Sequence, residues 1–445
     1  MTTKRAKSQK KRPPEQALLV CLREAERLDS IAVPLSRRGD EERRVEWFRF
    51  PKGGVRLARD SVDAFKDVVA ALEDDARIGY EFSAKTMQER VKDLLLAAVF
   101  GETDFDRAEV DAQTAWRALL GTFERGFREA SYFVPIANLE LSGVDEVVVG
   151  AAKLHANTPS MKDKISASMA QIIRGNPRYT EEEQERQLAF MLEQIDLPTG
   201  CCTAEVSLRV HPDRGFELAA AAARESVAIL RLVALLSERW GPPAVPSLLG
   251  DVIQAHRVQF RLAEGQEFGI QGDMVGIGPV QRLRLTRRDI EDVRPHLKAL
   301  GTAVERPVHR RKDMQSRISA ALRWWSDAIV EPEPNSRFLK FCVALEALLI
   351  DRETDAIATK LAQSVAVLLA DDTEARLRYD ALTREIYNTR SRIAHEGKDA
   401  RARRLMGDVH RIAAASILSV AGLAYEKQFT SADDLTKWVK GQLYG

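Results

Sequence analysis

The strongest constraint on the fold is a helical spacing of apolar residues that repeats through the last third of the sequence. The first stretch places an apolar residue every three or four positions, as on one buried face of a helix, at Ile318, Leu322, Trp325 and Ile329. Four more stretches with this spacing follow, over Phe338–Leu349, Ile357–Leu368, Leu382–Ile393 and Met406–Val420. Five amphipathic helices joined by short links can bury one shared core, so residues 315–440 are predicted to form an α-helical bundle.

Proline and glycine residues mark where two of these helices end. Pro332 and Pro334 follow the first stretch, and proline interrupts a helix because it lacks the backbone donor and clashes with the preceding turn. Gly397 follows the fourth stretch, where glycine can adopt the left-handed conformation that closes many helices. Within the bundle, Trp324 and Trp325 are predicted to pack against other helices rather than to stack on bases.

The first 300 residues mix two kinds of pattern. Short alternating or β-branched runs typical of strands lie at 44–50, 132–141, 146–149, 204–210, 257–262 and 280–285. Between them, Thr180 and Glu183 form a capping box at the start of a helix, and Leu218–Leu236 is predicted to be a largely buried helix. Residues 16–300 are therefore predicted to be a mixed α/β region, which makes the fold class of the chain α+β. Residues 1–15 are predicted to be a disordered basic arm.

The composition excludes several classes of protein. The 445 residues suggest two to four domains at the usual size of about 100–200 residues each. Lys and Arg number 67 and Asp and Glu 66, so a nucleic-acid site must come from a local cluster. Four cysteines are too few for a disulfide scaffold. The most apolar stretch is interrupted by Arg224, Glu225 and Arg231, so we expect no membrane span and a cytoplasmic location.

Sequence motifs for metal and nucleotide binding are missing. None of the seven histidines pairs with another at a spacing of three to five residues. The glycine-rich segment 272–278 lacks the Gly-Lys-Ser/Thr ending of a P-loop, and no Gly-x-Ser-x-Gly nucleophile motif occurs. We therefore predict no metal and no cofactor, leaving open only a magnesium site built from carboxylates.

The most basic folded segment precedes and enters the predicted bundle. Between Arg282 and Arg323 there are twelve Lys and Arg residues and five acids, with the densest run at His309–Lys312. One interpretation is a solvated linker between domains. The other is a surface that follows a phosphate backbone, because basic side chains release counterions from a polyanion. In that second interpretation the predicted RNA-binding residues are Arg310, Arg311 and Lys312.

One segment near the end of the fourth helix carries groups suited to chemistry. Arg390 precedes His395 by five residues, within Ile386–Gly397. A neutral imidazole can remove the proton of an RNA 2′-hydroxyl, and an imidazolium can protonate the leaving 5′-oxygen. A guanidinium can hold the phosphate with two donors and stabilise the additional negative charge of the transition state.

This segment resembles the Arg-x(4–6)-His motif of HEPN domains, and in particular their Apea-like branch. The stretch with Tyr387, Arg390-Ser391, Ile393 and His395 is similar to the Tyr-x-x-Arg-Ser-x-Ile/Val-x-His pattern of that branch. The sequence Ala-Leu-Glu-Ala-Leu at 344–348 is similar to its Phe…Ala-Leu-Glu-x-Leu helix. The resemblance covers about residues 315–425, roughly a quarter of the chain. Arg403 or Arg404 with His410 gives a second, bare match to the motif.

The resemblance implies a metal-independent endoribonuclease that leaves a 2′,3′-cyclic phosphate and a 5′-hydroxyl. Arg390 and His395 are then the predicted catalytic residues. The predicted supporting residues are Glu346, Tyr387, Asn388 and Ser391, and Arg392 joins the predicted RNA-binding residues. The resemblance also implies a homodimer and a place in bacterial antiviral defence or a toxin-like system, with residues 16–300 recognising a trigger or a protein partner.

Helix geometry adds a condition to this interpretation. Five positions on a regular helix separate Arg390 and His395 by about 140°, so one straight helix does not direct both at one phosphate. Either the helix unwinds before Gly397, or two chains pair with C2 symmetry and each contributes both residues to one cleft.

Several alternatives remain at this stage. His395 could cap the carbonyls at the helix end, and Arg390 could form a structural ion pair with Glu346. Because many active HEPN proteins carry Asn, Asp or His where this chain has Ser391, a non-catalytic module that binds RNA, a nucleotide or a protein partner is the second interpretation. The third is a purely structural dimerisation domain.

Overall fold

The computed structural model describes most of the chain. The described residues are 12–28, 45–49, 53–57, 59–124, 127–174, 180–194, 201–236, 245–248, 255–262, 268–275, 282–350 and 356–444. Helices predominate and the strands form small sheets, so the predicted α+β class is confirmed. Residues 1–11 of the predicted disordered arm, 1–15, lie outside the described residues, and the arm's end is wrong because a helix begins at Pro14. No helix among the described residues is both long and apolar enough to cross a membrane.

The chain divides into two compact units. One unit spans Met1–Ala130 and Leu208–Phe216, and the other spans Ser131–Ser207 and Glu217–Gly445. The second unit includes residues on both sides of the boundary predicted at 300–315. The helical bundle is therefore described as part of that unit, and the assignment of separate domains stays a prediction.

The first unit is a cluster of helices beside a three-stranded antiparallel sheet. Its elements are α1 (Pro14–Glu24), β1 (Glu26–Leu28), β2 (Val45–Arg49), β3 (Gly53–Leu57), α2 (Arg59–Asp74), α3 (Ile78–Glu81), α4 (Ala84–Val99) and α5 (Ala112–Phe123). The strand order is β1-β3-β2. Ser83 caps α4 by accepting a hydrogen bond from Thr86 N, and Asp111 caps α5. Buried apolar side chains from α1, α2, α4 and α5 form one core, including Leu18, Leu22, Leu72, Leu95 and Phe123.

The second unit begins with the sheets of the chain's middle third. The strands and helices there, of which residues 128–130 and 208–216 belong to the first unit, are β4 (Arg128–Ala137), β5 (Leu139–Ser142), β6 (Glu146–Val149), β7 (Ala152–Ala156), α6 (Pro159–Arg174), α7 (Glu181–Gln194), β8 (Cys202–Val210), α8 (Pro212–Ala234), β9 (Ser247–Leu248), β10 (Ala255–Leu262), β11 (Phe268–Val275) and β12 (Leu283–Thr286). A five-stranded sheet has the order β6-β7-β8-β4-β9, β10 pairs with β11, and β12 pairs with β5 in parallel. The strand runs predicted at 44–50, 146–149, 204–210 and 257–262 are confirmed within the described residues, as β2, β6, β8 and β10. The run predicted at 132–141 is divided between β4 and β5, and only the end of the run at 280–285 lies in a described strand, β12.

The sequence signals for helices in this region are also confirmed. Thr180 Oγ1 accepts a hydrogen bond from Glu183 N at 3.3 Å, and Glu183 Oε2 accepts one from Thr180 N at 2.8 Å. These two bonds form the predicted capping box. The helix predicted at Leu218–Leu236 is α8, and its apolar residues are largely buried.

The rest of the unit is helical. Its helices are α9 (Arg287–Val304), α10 (Asp313–Ile329), α11 (Pro334–Leu349), α12 (Ile357–Leu369), α13 (Thr373–Glu396), α14 (Arg401–Lys427) and α15 (Ala432–Tyr444). The five predicted helices correspond to α10–α14. Of the predicted stripe, Ile318, Leu322 and Trp325 are buried and Ile329 is half-buried. The helix α15 was missed. Trp325 packs as predicted, whereas Trp324 keeps 41% of its surface exposed, so the packing prediction is wrong for that residue.

Two exposed glycines in the bundle provide a matched test of how α13 ends. Gly397 has φ +79° and Gly407 lies inside α14, and a Cβ at either would meet no atom within 4 Å. We expect Gly397→Ala to destabilise the protein by about 1 kcal/mol, because alanine is strained in the left-handed conformation. Gly407→Ala should instead stabilise it by up to about 1 kcal/mol through helix propensity. Urea unfolding measures both, and a destabilising Gly407→Ala would contradict this explanation.

Candidate active site

The segment with the Arg-x4-His motif is the last part of one continuous helix. Helix α13 runs through Glu396, and the N–H of Gly397 donates to the Ile393 carbonyl at 2.8 Å. The prediction that Gly397 stops this helix is confirmed. The alternative in which the helix unwinds before Gly397 is wrong. Arg390 and His395 therefore remain about 140° apart around the helix axis.

Arg390 is held at the edge of the bundle core by an ion pair. Its Nε lies 2.8 Å from Glu346 Oε1, and its Nη2 donates to Glu346 Oε2 at 3.1 Å. The two side chains keep 28% and 22% of their surface exposed. The Arg390 guanidinium also lies 5.9 Å from the centre of the Tyr387 ring, one turn earlier. The structural pairing of Glu346 with Arg390, raised as an alternative, is confirmed.

This ion pair leaves part of the guanidinium for a ligand. Arginine has five N–H donors, and the Nη1 of Arg390 has no partner among the described residues. A guanidinium fixed on one side and open on the other is suited to hold a phosphate in a defined orientation. The ion pair therefore does not exclude the phosphate-binding role.

Cys342 lies beneath this pair and has no role as a nucleophile. The thiol is fully buried, and burial raises its pKa far above the ordinary value. The negative charge of Glu346 acts in the same direction, and Arg390 opposes it. A thiol that stays protonated is a poor nucleophile and a poor metal ligand.

His395 lies in the last turn of α13 with its side chain exposed. Among the described residues it has no hydrogen bond or ion pair, so the alternative in which it caps helix carbonyls finds no support. The neighbouring Glu396 and Lys398 are exposed as well. The imidazole is therefore accessible to a substrate.

The other predicted supporting residues, Tyr387, Asn388 and Ser391, lie on α13 with Arg390 and His395. Asn388 is exposed, and Tyr387 and Ser391 are half-buried. Arg392 is exposed, with Nη1 3.7 Å from Asp399 Oδ2. Asp399 was missed in the sequence, although its carboxylate is nearly buried and also pairs with Arg401 at 3.0 Å. The sequence signal that could have identified Asp399 was an acidic residue two positions after Gly397, the glycine that ends the helix.

The three residues predicted to bind RNA in the basic run His309–Lys312 differ in their exposure to solvent. Arg310 and Lys312 are exposed, as a phosphate-binding role requires. Arg311 is wrong as an RNA-binding residue, because its side chain is only 4% exposed and lies 2.6 Å from Glu225. All five of its N–H donors are used, by Glu225, Ser319 and the carbonyls of Arg306 and Val304.

The second match to the motif is explained by packing. The His410 ring stacks on Trp325, with centroids 5.5 Å apart, and lies 5.1 Å from Phe341. Burial lowers the pKa of His410, and the charges of Arg411 and Arg337 add to this. Arg404, one of the two arginines that could complete that match, forms an ion pair with Glu385. His410 is therefore a core residue.

No group of three or more His, Cys, Asp or Glu side chains is placed to hold a metal ion within the part of the chain that the structure describes. A scan against protein-family models found no match, and searches of curated proteins and of solved structures found none either. The HEPN resemblance therefore stands on the residues of this chain alone.

Proposed function

We propose that this chain is a metal-independent endoribonuclease of the HEPN type. The observation that carries the proposal is the contrast between the two motif residues. Arg390 is oriented by Glu346 and keeps a free Nη1, whereas His395 is exposed and unpaired among the described residues at the end of the same helix. A purely structural role explains Arg390 but gives no reason for a free imidazole at this position.

The proposed reaction uses the nucleophile that RNA itself carries. The 2′-oxygen attacks the adjacent phosphorus while the imidazole of one His395 accepts its proton. The bond from phosphorus to the 5′-oxygen breaks, and a protonated His395 gives its proton to that oxygen. The products are a 2′,3′-cyclic phosphate and a 5′-hydroxyl. Arg390 stabilises the charge that builds up on the phosphoryl oxygens.

The separation of the two side chains on α13 favours a cleft made by two chains. Since the helix is regular through Glu396, one copy does not direct Arg390 and His395 at the same phosphate. A C2 homodimer would place a second α13 opposite the first, so that the one cleft between them has two imidazoles and two guanidiniums. One imidazole can then act as base and the other as acid.

The remaining proposed roles follow from position. Glu346 and Tyr387 would orient Arg390, and Asn388 and Ser391 would contact the phosphate. Arg310, Lys312 and Arg392 are exposed cations that would hold the RNA backbone. We further propose a cytoplasmic protein of antiviral defence or a toxin-like system, in which part of residues 16–300 recognises a trigger or partner.

An assay with a chemically defined substrate tests this proposal. We expect the purified protein to cut a single-stranded RNA in the presence of EDTA, giving 5′-hydroxyl products and cyclic phosphate ends. The same oligonucleotide with 2′-O-methyl groups at every position should resist cleavage, because no 2′-hydroxyl can attack. Cleavage of the methylated strand, or a strict need for added Mg²⁺, would remove the assignment.

The second candidate is a non-catalytic HEPN module that binds RNA, a nucleotide or a protein partner. Ser391 favours it, because many active relatives carry Asn, Asp or His directly after the arginine. The ion pair between Arg390 and Glu346 is also consistent with a structural role for the arginine. This candidate is expected to bind RNA without turnover, and its binding should survive His395→Ala.

A further inference from the structure

A groove in the first unit combines an apolar wall with several ammonium groups. It has a volume of about 420 Å³, which lies within the range typical of small-molecule sites. Helix α2 contributes Val62, Phe65 and Lys66, which follow one another at i, i+3 and i+4 on one helix face. Helix α4 contributes Lys85 and Lys92, seven residues apart and so on one face as well.

The charges that line the groove are mostly not neutralised. Lys66 pairs with Asp63 at 3.3 Å on the surface. Lys85 and Lys92 form no ion pair with any described residue, and Glu89 is the one acid among the described lining residues. The net charge of that lining is therefore positive.

Lys92 is the most informative of these residues. It is half-buried, its ammonium keeps contact with solvent, and no described acid pairs with it. The adjoining surface is apolar and includes Phe65, a half-buried aromatic ring. An anionic group near Lys85 and Lys92 would supply the missing partner, and an apolar group attached to it would cover the ring.

We propose that this groove binds a small organic anion, with its phosphate, sulfonate or carboxylate near Lys85 and Lys92 and a flat or aliphatic apolar part against Val62 and Phe65. A nucleoside phosphate and an acyl carboxylate share this chemistry. The site lies within the first unit, so the inference does not depend on the proposed nuclease function.

The test uses 1-anilinonaphthalene-8-sulfonate, an aromatic sulfonate that fluoresces when it leaves water, with the full-length protein. We expect saturable binding that becomes at least about tenfold weaker in the variant Lys85→Gln/Lys92→Gln, since each charge-assisted contact contributes roughly that factor. Lys92→Glu changes the charge of the lining by the same two units and should weaken binding to a similar extent. Lys437→Gln, which removes an exposed charge on α15, is the matched control and should bind as the wild type does.

Competition identifies the source of the anion. Displacement of the dye by AMP indicates a nucleoside phosphate, and displacement by dodecanoate indicates an acyl carboxylate; either result supports the proposal. Inorganic phosphate should compete far more weakly, because it has no apolar part. Three results would overturn the proposal: no saturable binding, equal affinity in the double variant and the Lys437→Gln control, or phosphate competing as well as AMP. Far-ultraviolet circular dichroism verifies that each variant is folded.

Discussion

Replacing Glu225 by alanine is expected to destabilise the protein by about 3–5 kcal/mol, the cost of leaving a buried charge without its partner. The carboxylate lies on α8 and accepts hydrogen bonds from Nη1 and Nη2 of Arg311 at 2.7 and 2.6 Å. Ser319 on α10 donates to the same carboxylate at 2.7 Å. The alanine variant keeps the guanidinium of Arg311 in an environment where only 4% of its side chain meets water.

Two other variants show whether burial is the cause. Glu374→Ala breaks an exposed ion pair with Arg378 and should cost less than about 1 kcal/mol, as surface pairs usually do. The double variant Glu225→Leu/Arg311→Met removes both buried charges and should recover much of the lost stability. Urea unfolding followed by circular dichroism gives the three values. A Glu225→Ala variant within 1 kcal/mol of the wild type would contradict the burial argument.

The same pair illustrates what the sequence could not predict. Arg311 stands in a run of basic residues, and such a run does not indicate which of its members faces inward. The deciding residue, Glu225, is 86 positions earlier in the chain. Contacts between residues so far apart depend on how helices pack, whereas apolar spacing and capping are local. Local signals therefore predicted α10–α14, the end of α13 and the capping box at Thr180.

The candidate site was predictable to a similar extent. Gly397 fixes where α13 ends, and this places His395 in an exposed last turn. The pairing of Glu346 with Arg390 could be raised as an alternative because both residues border apolar stripes. By contrast, the spacing from an arginine did not distinguish His395 from His410, and only the flanking residues Tyr387, Ser391 and Ile393 favoured His395. Only the stack of His410 on Trp325 shows that it belongs to the core.

Replacing His395 by alanine is expected to lower the rate of RNA cleavage by at least about a hundredfold, the usual contribution of general acid–base catalysis. Arg390→Ala should have an effect of about the same size, because it removes the donor that stabilises the transition state. The histidine is exposed, so His395→Ala should unfold at the same urea concentration as the wild type. His296→Ala, a half-buried histidine on α9 outside the motif, is the matched control and should retain full activity.

A distinct outcome separates the two candidate functions. If His395→Ala and Arg390→Ala still bind RNA but the wild type never cleaves it, the non-catalytic module is the better description. If both variants cleave RNA at the wild-type rate, the motif is not the active site of whatever nuclease is present.

The central claim is that Arg390 and His395 converge on one phosphate only when two chains pair. It is tested most directly by co-expressing Arg390→Ala and His395→Ala chains with different affinity tags and isolating the mixed dimer. Each homodimer lacks one of the two groups, whereas the mixed dimer has one guanidinium and one imidazole in its cleft. We expect the mixed dimer to cleave RNA measurably faster than either homodimer but more slowly than the wild type, because its single imidazole can serve only one of the two proton transfers. A mixed dimer as inactive as its parents, or an active wild-type protein that stays a monomer during catalysis, would contradict it.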